Sequence, residues 1–325
     1  MKKVLSIVGP TAVGKTSLGL VLASKFNGEI ISADAVQVYK DLDIISGKDL
    51  PKGAKPKFDS NLNTNVYDFN SIPVYLLDVV LPTYNFNVSD FAKNARPVLE
   101  YILDKNKLPV VVGGTGFYVS ALFGEIKSIN VPRNESLRNE LNNKTTNELQ
   151  EILKEKNIEK FNSMNNSDRN NPRRLIRAIE ITIKIHDSGF KIKDSKRECD
   201  VLFIGLKCER DELKKRIDKR IDERIKAGAL EEAKSLFKQY EKLSSNVKTT
   251  NGYRQLFEYL KGEITLENAV EKWRISEYLH AKNQMTWFNK DKRIRWFDIN
   301  EKDFYIKITE FINSWYNITN GKKKN

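Results

Sequence analysis

Short runs of apolar residues, each followed by a polar or glycine-containing segment, recur along this chain and predict the strands of one buried sheet. In Val4–Val8 and Leu108–Val112 nearly every residue is apolar, as in parallel strands that are covered on both faces. Further runs with strand character lie at 28–32, 74–80 and 200–206, and an edge strand is predicted at 293–298.

Apolar residues at helical spacing predict helices between these strands. Leu18, Val21 and Leu22 recur on one face of a helix predicted over 17–25. The other predicted helices cover 89–99, 117–123, a charged stretch with Leu213, Ile217, Ile221 and Ile225 at a spacing of four, and 266–288, the last long helix. Polar loops are predicted at 46–71 and 244–254.

From about residue 127 the chain becomes rich in charged residues and Asn, with helical segments and few strand signals. A helix is predicted to begin at Pro172, because proline is favoured early in helices. We therefore predict an α/β fold of the P-loop NTPase-like class, a parallel sheet flanked by helices, with an inserted helical domain. The predicted parts are a first core segment 1–126, the insertion 127–198 and a core completion 199–325.

The segment between the first strand and the first helix matches the phosphate-loop pattern Gly-x-x-x-x-Gly-Lys-Ser/Thr. Its residues are Gly9, Pro10, Thr11, Ala12, Val13, Gly14, Lys15 and Thr16. Backbone N–H groups and the helix N-terminus would bind phosphate oxygens. Lys15 supplies a mobile positive charge and Thr16 a hydroxyl ligand for Mg²⁺. A chance glycine-rich turn is the alternative, which the flanking strand and helix disfavour.

Two other strand ends carry candidate chemistry. Asp34 follows the second strand, and the turn Gly113–Thr115 follows the strand at 108–112. In a phosphate-loop ATPase the corresponding strand normally ends in an Asp that helps to hold Mg²⁺. Its absence argues against a motor or switch NTPase and leaves a transferase with a phosphate or diphosphate donor. Asp34 is then a candidate base and Thr115 a neutral donor to the leaving phosphate, although Asp34 could instead cap a helix.

The composition of the chain indicates what kind of partner it binds and in which compartment it works. The formal net charge of +13, with a pI of about 9.4, favours a polyanionic partner such as nucleic acid, although a general bias towards Lys would give the same balance. Cys199 and Cys208 form neither a zinc motif nor a disulfide framework. The phosphate-loop strand begins directly after the N-terminus, and no apolar run could span a bilayer. We therefore expect a cytoplasmic protein without membrane contact.

Several segments spread over the whole chain combine into one family pattern. They are Gly9–Thr16, Asp34–Tyr39, Asp43–Ile44, Val88–Phe91, Gly113–Thr115 with Tyr118, Pro172–Glu180, Arg216–Arg220, Gly252–Tyr253, Tyr259–Gly262 and Ala281–Trp287. Through them the chain resembles the tRNA dimethylallyltransferase family nearly from end to end. The zinc-finger extension of eukaryotic relatives is absent, so we expect a bacterial-type enzyme.

The resemblance implies transfer of a dimethylallyl group from dimethylallyl diphosphate to N6 of adenosine 37 in the tRNA anticodon loop, with Mg²⁺ as cofactor. It implies that the phosphate loop holds the diphosphate, that Asp34 is the general base, and that Thr115 and Arg220, or else Arg216, act on the diphosphate. The implied tRNA contacts are Asp34, Ala35, Val36, Gln37, Arg138, Arg173, Arg174, Arg177, Gly252, Tyr253, Arg254 and Lys282, within the insertion and the 249–254 loop among other places. We expect a monomer.

The sequence departs from the family pattern in several places. Basic positions of the late helix are occupied by Tyr278, Leu279 and Asn283, so we expect partial loss of RNA phosphate contacts. Ala35 stands where the family usually has Ser, and the loop that follows Ile44 is longer than usual.

Other interpretations remain open at this stage. The chain could be an adenylate prenyltransferase, a small-molecule kinase or a catalytically silent RNA-binding relative. Locally, the arginines at 173–177 could form a solvated helix face, and Arg216 and Arg220 could pair with nearby acidic residues. We expect structural roles for Trp273, Trp287 and His280.

Overall fold

The computed structural model describes residues 2–188 and 199–317, which form a mixed α/β protein with helices on both sides of a sheet. In the described residues the sheet has eight strands in the order β3-β4-β5-β2-β6-β1-β7-β8. The strands are β1 (Lys2–Val8), β2 (Gly28–Ser32), β3 (Lys57–Asp59), β4 (Thr64–Phe69), β5 (Ile72–Tyr75), β6 (Leu108–Val112), β7 (Cys199–Lys207) and β8 (Arg295–Asp298).

Helices connect and cover these strands. They are α1 (Lys15–Lys25), α2 (Val88–Asp104), α3 (Gly116–Leu122), α4 (Glu135–Leu141), α5 (Thr146–Lys156), α6 (Ile158–Ser163), α7 (Asn166–Arg169), α8 (Pro172–Ser188), α9 (Arg210–Lys226), α10 (Ala229–Phe237), α11 (Ser245–Thr249), α12 (Tyr253–Leu260), α13 (Leu266–Phe288) and α14 (Phe304–Asn317). Residues 127–130 and 240–242 form single 3₁₀ turns.

The centre of the sheet determines where the site lies. Strands β2, β6, β1 and β7 are mutually parallel, and every residue of β2 and β6 is buried. Because their carboxyl ends meet at one edge of the sheet, the segments after β1, β2 and β6 converge there, at a typical ligand-binding position of open α/β sheets. The predicted fold class and the central strands are therefore confirmed.

Part of the predicted loop 46–71 folds instead as a hairpin. Strands β3 and β4 pair in antiparallel fashion, and β4 pairs in the same way with β5, so the sheet is parallel only from β5 to β8. Tyr67 and Phe69 of β4 are buried on either side of the exposed Asp68, a spacing of two that marks a half-buried strand. The abundance of Lys, Asn and Gly around them concealed it.

Other sequence-based expectations also change. Val21 is 47% exposed, because α1 packs on the sheet through Leu18, Leu22 and Ala23. The predicted loop 244–254 contains α11 and the start of α12, and α14 follows the helix that was expected to be the last. Trp273 is buried as expected, whereas Trp287 is 43% exposed.

The chain divides into two compact units, one of Met1–Leu122 with Glu198–Asn325 and one of Phe123–Arg197. The second unit has its own apolar core, formed by α4, α5, α6 and α8. Its buried members are Leu141, Leu149, Leu153, Phe161, Met164, Leu175, Ile176, Ala178 and Ile179. Within the part of the chain that the structure describes, no helix has the length and apolar character to cross a membrane. The basic tail at 322–324 lies outside the described residues.

Candidate active site

The phosphate loop connects the end of β1 to the first turn of α1. Gly9 has φ +139° and lies directly against the backbone carbonyl of Leu206 in β7, where a Cβ would collide with that oxygen. Gly14 has φ +85° and precedes the first residue of α1. The N–H groups at the start of this 11-residue helix therefore face the loop, which is the arrangement that binds phosphate oxygens.

Lys15 extends back over the loop that it follows. Its Nζ donates a hydrogen bond of 2.6 Å to the carbonyl oxygen of Pro10. Desolvation inside the cavity, together with the positive charge of Arg220, lowers the pKa of Lys15 to about 7 against the opposing effects of Asp34 and Glu277. The ammonium charge is therefore poorly compensated in the free site, and a bound anion would favour this charged form.

Asp34 and Thr115 lie beside each other after the neighbouring strands β2 and β6. The N–H of Ala35 donates to Thr115 Oγ1 over 3.1 Å, and the N–H of Thr115 donates to the carbonyl of Ala33. Asp34 Oδ1 accepts from the N–H groups of Val36 and Gln37 at 2.8 and 3.3 Å. These two bonds fix the carboxylate by a local turn rather than as the cap of a helix, so the alternative of a helix cap is not what the structure shows.

Two arginines of α9, Arg220 and Arg224, also belong to the site. Arg220 Nη1 donates to Thr11 Oγ1 over 3.1 Å, with Asp49 Oδ2 at 3.8 Å from Nη2. Arg224 is 8% exposed, and desolvation together with Arg220 lowers its pKa to about 10. Both guanidinium groups pack against Gly47, which has φ +66° and where a Cβ would collide with each of them.

The two arginines therefore meet at Gly47 in the lining of the cavity, where Arg220 also reaches the phosphate loop and Arg224 lies 3.9 Å from Glu277. Arg216 lines the same cavity, and its Nε is bound to Glu212 Oε1 at 2.9 Å, one helical turn away. Sequence reasoning missed Arg224. Its charge is buried, but charged residues surround it in the sequence of α9 and nothing there distinguishes it from them. Sequence reasoning also missed Gly47, since a lone glycine in a polar segment is read as part of a loop.

Gln284 of α13 joins two of the strand ends and was not among the predicted site residues. Its Oε1 accepts from the N–H of Thr11 at 2.8 Å, and its Nε2 donates to the carbonyl of Gly114 at 3.0 Å. The side chain is 8% exposed. One amide therefore fixes the distance between the phosphate loop and the Gly113–Thr115 turn. The only signal in the sequence was its position in the family pattern of the late helix.

These groups line one cavity of about 900 Å³ with a mixed polar and apolar surface. Its polar lining includes Lys15, Thr16, Asp34, Thr115 and Arg220. Its apolar part is formed by Ile30, Val36, Ile45, Phe69, Val74, Leu77 and Val112. The combination suits a ligand with an anionic end and a hydrocarbon end.

The arrangement fits a magnesium ion that is held largely by its ligand's phosphates. Thr16 lines the cavity next to Lys15, and its hydroxyl is the expected protein ligand. Among residues 2–188 and 199–317 no group of three or more His, Cys, Asp or Glu side chains could form a separate metal cage. Mg²⁺ commonly binds in this way, through one or two protein groups, substrate phosphates and water.

The predicted RNA-contacting residues of the sheet-containing unit occupy different environments. Ala35, Val36 and Gln37 are half-buried at the cavity, and Arg254 and Lys282 are exposed. Gly252 and Tyr253 are buried, and the Tyr253 hydroxyl donates to Glu232 Oε1 at 2.5 Å. The buried side chain of Tyr253 therefore supports the protein interior, which corrects its assignment as a surface that contacts RNA.

In the helical unit, two of the predicted arginines share one carboxylate. Arg138 donates to both oxygens of Glu180 at 2.9 and 2.8 Å, and Arg177 donates to Glu180 and to the carbonyl of Val131. Burial alone would raise the pKa of Glu180, but its hydrogen bonds from Arg138, the N–H of Asn134 and Arg177 lower it to about 2.

The neighbouring arginines of α8 differ from this pair. Arg174 is bound to Asp168, and Arg173 is exposed. Arg138 and Arg177 thus share Glu180 and remain partly exposed, while Arg173 has the exposure that favours an RNA contact.

Comparison with known proteins finds matches along nearly the whole chain. The sequence model of the family described as IPP transferase matches residues 37–291, and that of the family described as isopentenyl transferase matches residues 2–56. A protein from Pediococcus pentosaceus named tRNA dimethylallyltransferase is 38% identical over 329 residues, with 98% of this chain and 99% of that protein covered. One of the same name from Anoxybacillus flavithermus is 35% identical, with 94% and 93% covered.

Solved structures give the same result. The full-length tRNA isopentenylpyrophosphate transferase from Bacillus halodurans has a TM-score of 0.67 at 32% identity and covers 97% of this chain and 96% of its own. A eukaryotic dimethylallyltransferase, captured acting on tRNA, has a TM-score of 0.78 at 25% identity and covers 98% and 80%. The resemblance found in the sequence is thereby confirmed, and the chain belongs to the IPP transferase family, whose members named above are tRNA dimethylallyltransferases.

Proposed function

We propose that this protein transfers the dimethylallyl group of dimethylallyl diphosphate to N6 of adenosine 37 in the tRNA anticodon loop. In the reaction the allylic C1–O bond of the donor breaks and a bond from C1 to N6 forms. The diphosphate leaves with the bonding electron pair, and the amine loses one proton to a base. The family membership supports the class of reaction, and the residues of the cavity support the assignment of each step.

One observation carries the proposal most directly. Asp34 and Thr115 are connected through the Ala35 N–H at the ends of neighbouring strands, and they line the same cavity as Lys15 and Arg220. A carboxylate able to accept a proton therefore faces a site that is built for a leaving diphosphate. In a kinase or ATPase a base at this position would act on a hydroxyl group or a water. In prenyl transfer it removes a proton from the exocyclic amine as the carbon–nitrogen bond forms.

The cationic side of the cavity acts on the leaving group. Lys15, Arg220, Arg224 and the N–H groups at the start of α1 bind the diphosphate, and Thr115 contributes its hydroxyl. Because negative charge on the bridging oxygen grows as the C1–O bond breaks, these fixed donors stabilise the transition state more than the ground state. Bound Mg²⁺, with Thr16 as its protein ligand, would supply further neutralisation of that charge.

Asp34 acts on the acceptor. Its Oδ1 is occupied by the N–H groups of Val36 and Gln37, so we assign Oδ2 to accept the proton from N6. The adenine must leave the anticodon-loop stack to reach this carboxylate, a movement that costs a few kcal/mol. The net charge of +13 and exposed residues such as Arg173 and Lys282 support binding of the RNA backbone.

A tRNA substrate would place the reaction in the cytoplasm. We further propose that a single copy of the chain suffices, since the donors, the base and the apolar wall of the cavity all come from one chain.

The test is direct. Purified protein is incubated with dimethylallyl diphosphate, Mg²⁺ and unmodified tRNA, and nucleosides from the digested tRNA are examined by mass spectrometry for N6-dimethylallyl-adenosine. We expect the product with tRNA as acceptor and none with AMP. Transfer to AMP in preference to tRNA would support an adenylate prenyltransferase instead, and ATP hydrolysis without prenyl transfer would contradict the proposal.

A further inference from the structure

Glu232 of α10 binds three consecutive backbone N–H groups of a turn next to the cavity. Its Oε2 accepts from the N–H of Asp43 and of Ile44 at 2.8 and 2.7 Å, and its Oε1 accepts from the N–H of Ile45 at 3.0 Å. Successive N–H groups that converge in this way form an anion-binding concavity, and here the protein fills it with its own carboxylate. We call residues 43–47 the Glu232 turn.

The Glu232 turn is also held from a second direction. The Tyr253 hydroxyl donates to Glu232 Oε1 at 2.5 Å, and the backbone of Gly252 lies against the side chain of Ile45. Burial raises the pKa of Tyr253 well above its usual value, and the Glu232 carboxylate adds to this effect. Tyr253 therefore stays a hydrogen-bond donor throughout the physiological range of pH.

Gly47, the last residue of the Glu232 turn, contacts both the two arginines of α9 and Gln37, which lies next to Asp34. Gly47 packs against the guanidinium groups of Arg220 and Arg224. Its carbonyl accepts a hydrogen bond of 2.8 Å from Gln37 Nε2, and the N–H of Gln37 donates to Asp34 Oδ1. A displacement of the turn would therefore move both arginines and the segment that fixes Asp34.

We propose that Glu232 is a positioning residue for the prenyl transfer: it fixes the Glu232 turn so that Gly47 holds Arg220 and Arg224 in the lining of the cavity and Gln37 beside Asp34. The inference rests on the proposed function, because the arginines are taken to bind diphosphate. A carboxylate is required at this position, since all four partners of Glu232 are donors. An amide would turn an NH₂ group towards some of them.

The experiment uses Glu232→Gln in the full chain, with Glu231→Gln as the matched control. Glu231 is exposed and lies 3.8 Å from Lys234, so the control removes the same charge one residue away. Binding of inorganic diphosphate with Mg²⁺ is measured by calorimetry, at a temperature well below the Tm of each protein. We expect Glu232→Gln to raise the Kd about 10-fold, with a matching rise in KM for dimethylallyl diphosphate, because small misplacements of binding groups are costly.

The outcomes distinguish a residue that positions the diphosphate-binding groups from one that only stabilises the fold. A lower Tm with an unchanged Kd in Glu232→Gln would show that Glu232 only stabilises the fold and would overturn the inference. An equal loss of diphosphate affinity in Glu231→Gln would also overturn it, since overall charge would then be the cause. If Glu232→Gln does not fold, Glu232→Asp keeps the charge but is one methylene too short for all four donors, and the same criteria apply. Absence of diphosphate binding by the wild type would overturn the proposed function itself.

Discussion

Lys15 is a cation whose surroundings oppose its charge, and this gives diphosphate binding a specific pH dependence. Desolvation and Arg220 lower its pKa to about 7, so above that pH the free site increasingly contains a neutral amine. A bound diphosphate favours the ammonium form and raises the pKa again. We expect diphosphate affinity to fall as the pH rises above 7 and binding to take up protons there. Calorimetry in two buffers with different ionisation enthalpies measures the uptake.

Lys15→Arg provides the control for that prediction. A guanidinium group stays charged at every relevant pH, so the variant should bind diphosphate with little proton uptake and a flatter dependence on pH, even if its affinity is lower. An unchanged pH profile in Lys15→Arg would assign the titration to another group.

Asp34 gives the second prediction at the scale of single residues. Asp34→Asn keeps the size of the side chain and an acceptor oxygen but removes the base. We expect kcat to fall by roughly 100-fold or more, while the Kd for tRNA stays close to that of the wild type. Single-turnover kinetics with excess enzyme measures the chemical step. Asp41→Asn is the matched control, since Asp41 is exposed and is not part of the cavity lining; equal losses in both variants would argue against Asp34 as the base.

At the scale of elements, helix α13 has a buried face that contacts the site and an exposed face. Gln284 faces inward and links two strand ends, whereas Leu279 and Asn283, one turn apart, are exposed. If this outer face lies along tRNA, Asn283→Arg should tighten binding and steepen the dependence of log affinity on log salt by about one. A salt titration with an anticodon stem-loop tests this. Asn289→Arg adds the same charge just past the end of α13, and identical slopes for the wild type and Asn283→Arg would mean that residue 283 does not face the RNA.

The β3–β4 hairpin contributes Phe69 to the apolar wall of the cavity. Its ring is 5% exposed and lies in β4, which pairs with β5, the neighbour of β2. With dimethylallyl diphosphate in this cavity, Phe69→Ala should make room for a longer chain. We expect the kcat/KM for geranyl diphosphate relative to dimethylallyl diphosphate to rise about 10-fold. Phe58→Ala, a 59% exposed position on the same hairpin, should leave the ratio unchanged; a similar ratio in both variants would remove Phe69 from the wall.

The hairpin also marks the limit of what sequence could predict. Local pattern sufficed for β1, β2 and β6, whose apolar runs end in recognisable turns, and parallel pairing then brings Asp34 and Thr115 together. It failed for β3 and β4, because short strands in a polar context are decided by their pairing partners rather than by propensity. It also failed for Arg224 and Glu232, since only the packing of α9 and α10 on the core separates these side chains from the charged residues around them.

At the scale of the whole molecule, the desolvated charge of Lys15 should lower the stability of the folded protein. The pKa of Lys15 is lower in the folded protein, about 7 against the ordinary lysine value of 10.5, so the unfolded chain binds more protons between these two values. The contribution of Lys15 is therefore unfavourable below pH 7 and is relieved as the pH rises towards 10.5. We expect Lys15→Met to raise the Tm at pH 6 and to have a smaller effect at pH 9. Thermal unfolding at both values checks this; a lower Tm at pH 6 would contradict it.

The pairing of β1 has a consequence for the order in which the chain is made. Strand β1 lies between β6 and β7, and Gly9 rests on the carbonyl of Leu206. Strand β1 leaves the ribosome before β6 and β7, and β7 emerges only after the whole of residues 123–197. During that interval one edge of β1 has no partner, and apolar edges of this kind invite aggregation. The phosphate loop, although it begins at residue 9, thus gains the backbone of Leu206, on which Gly9 rests, only after the second unit has been made.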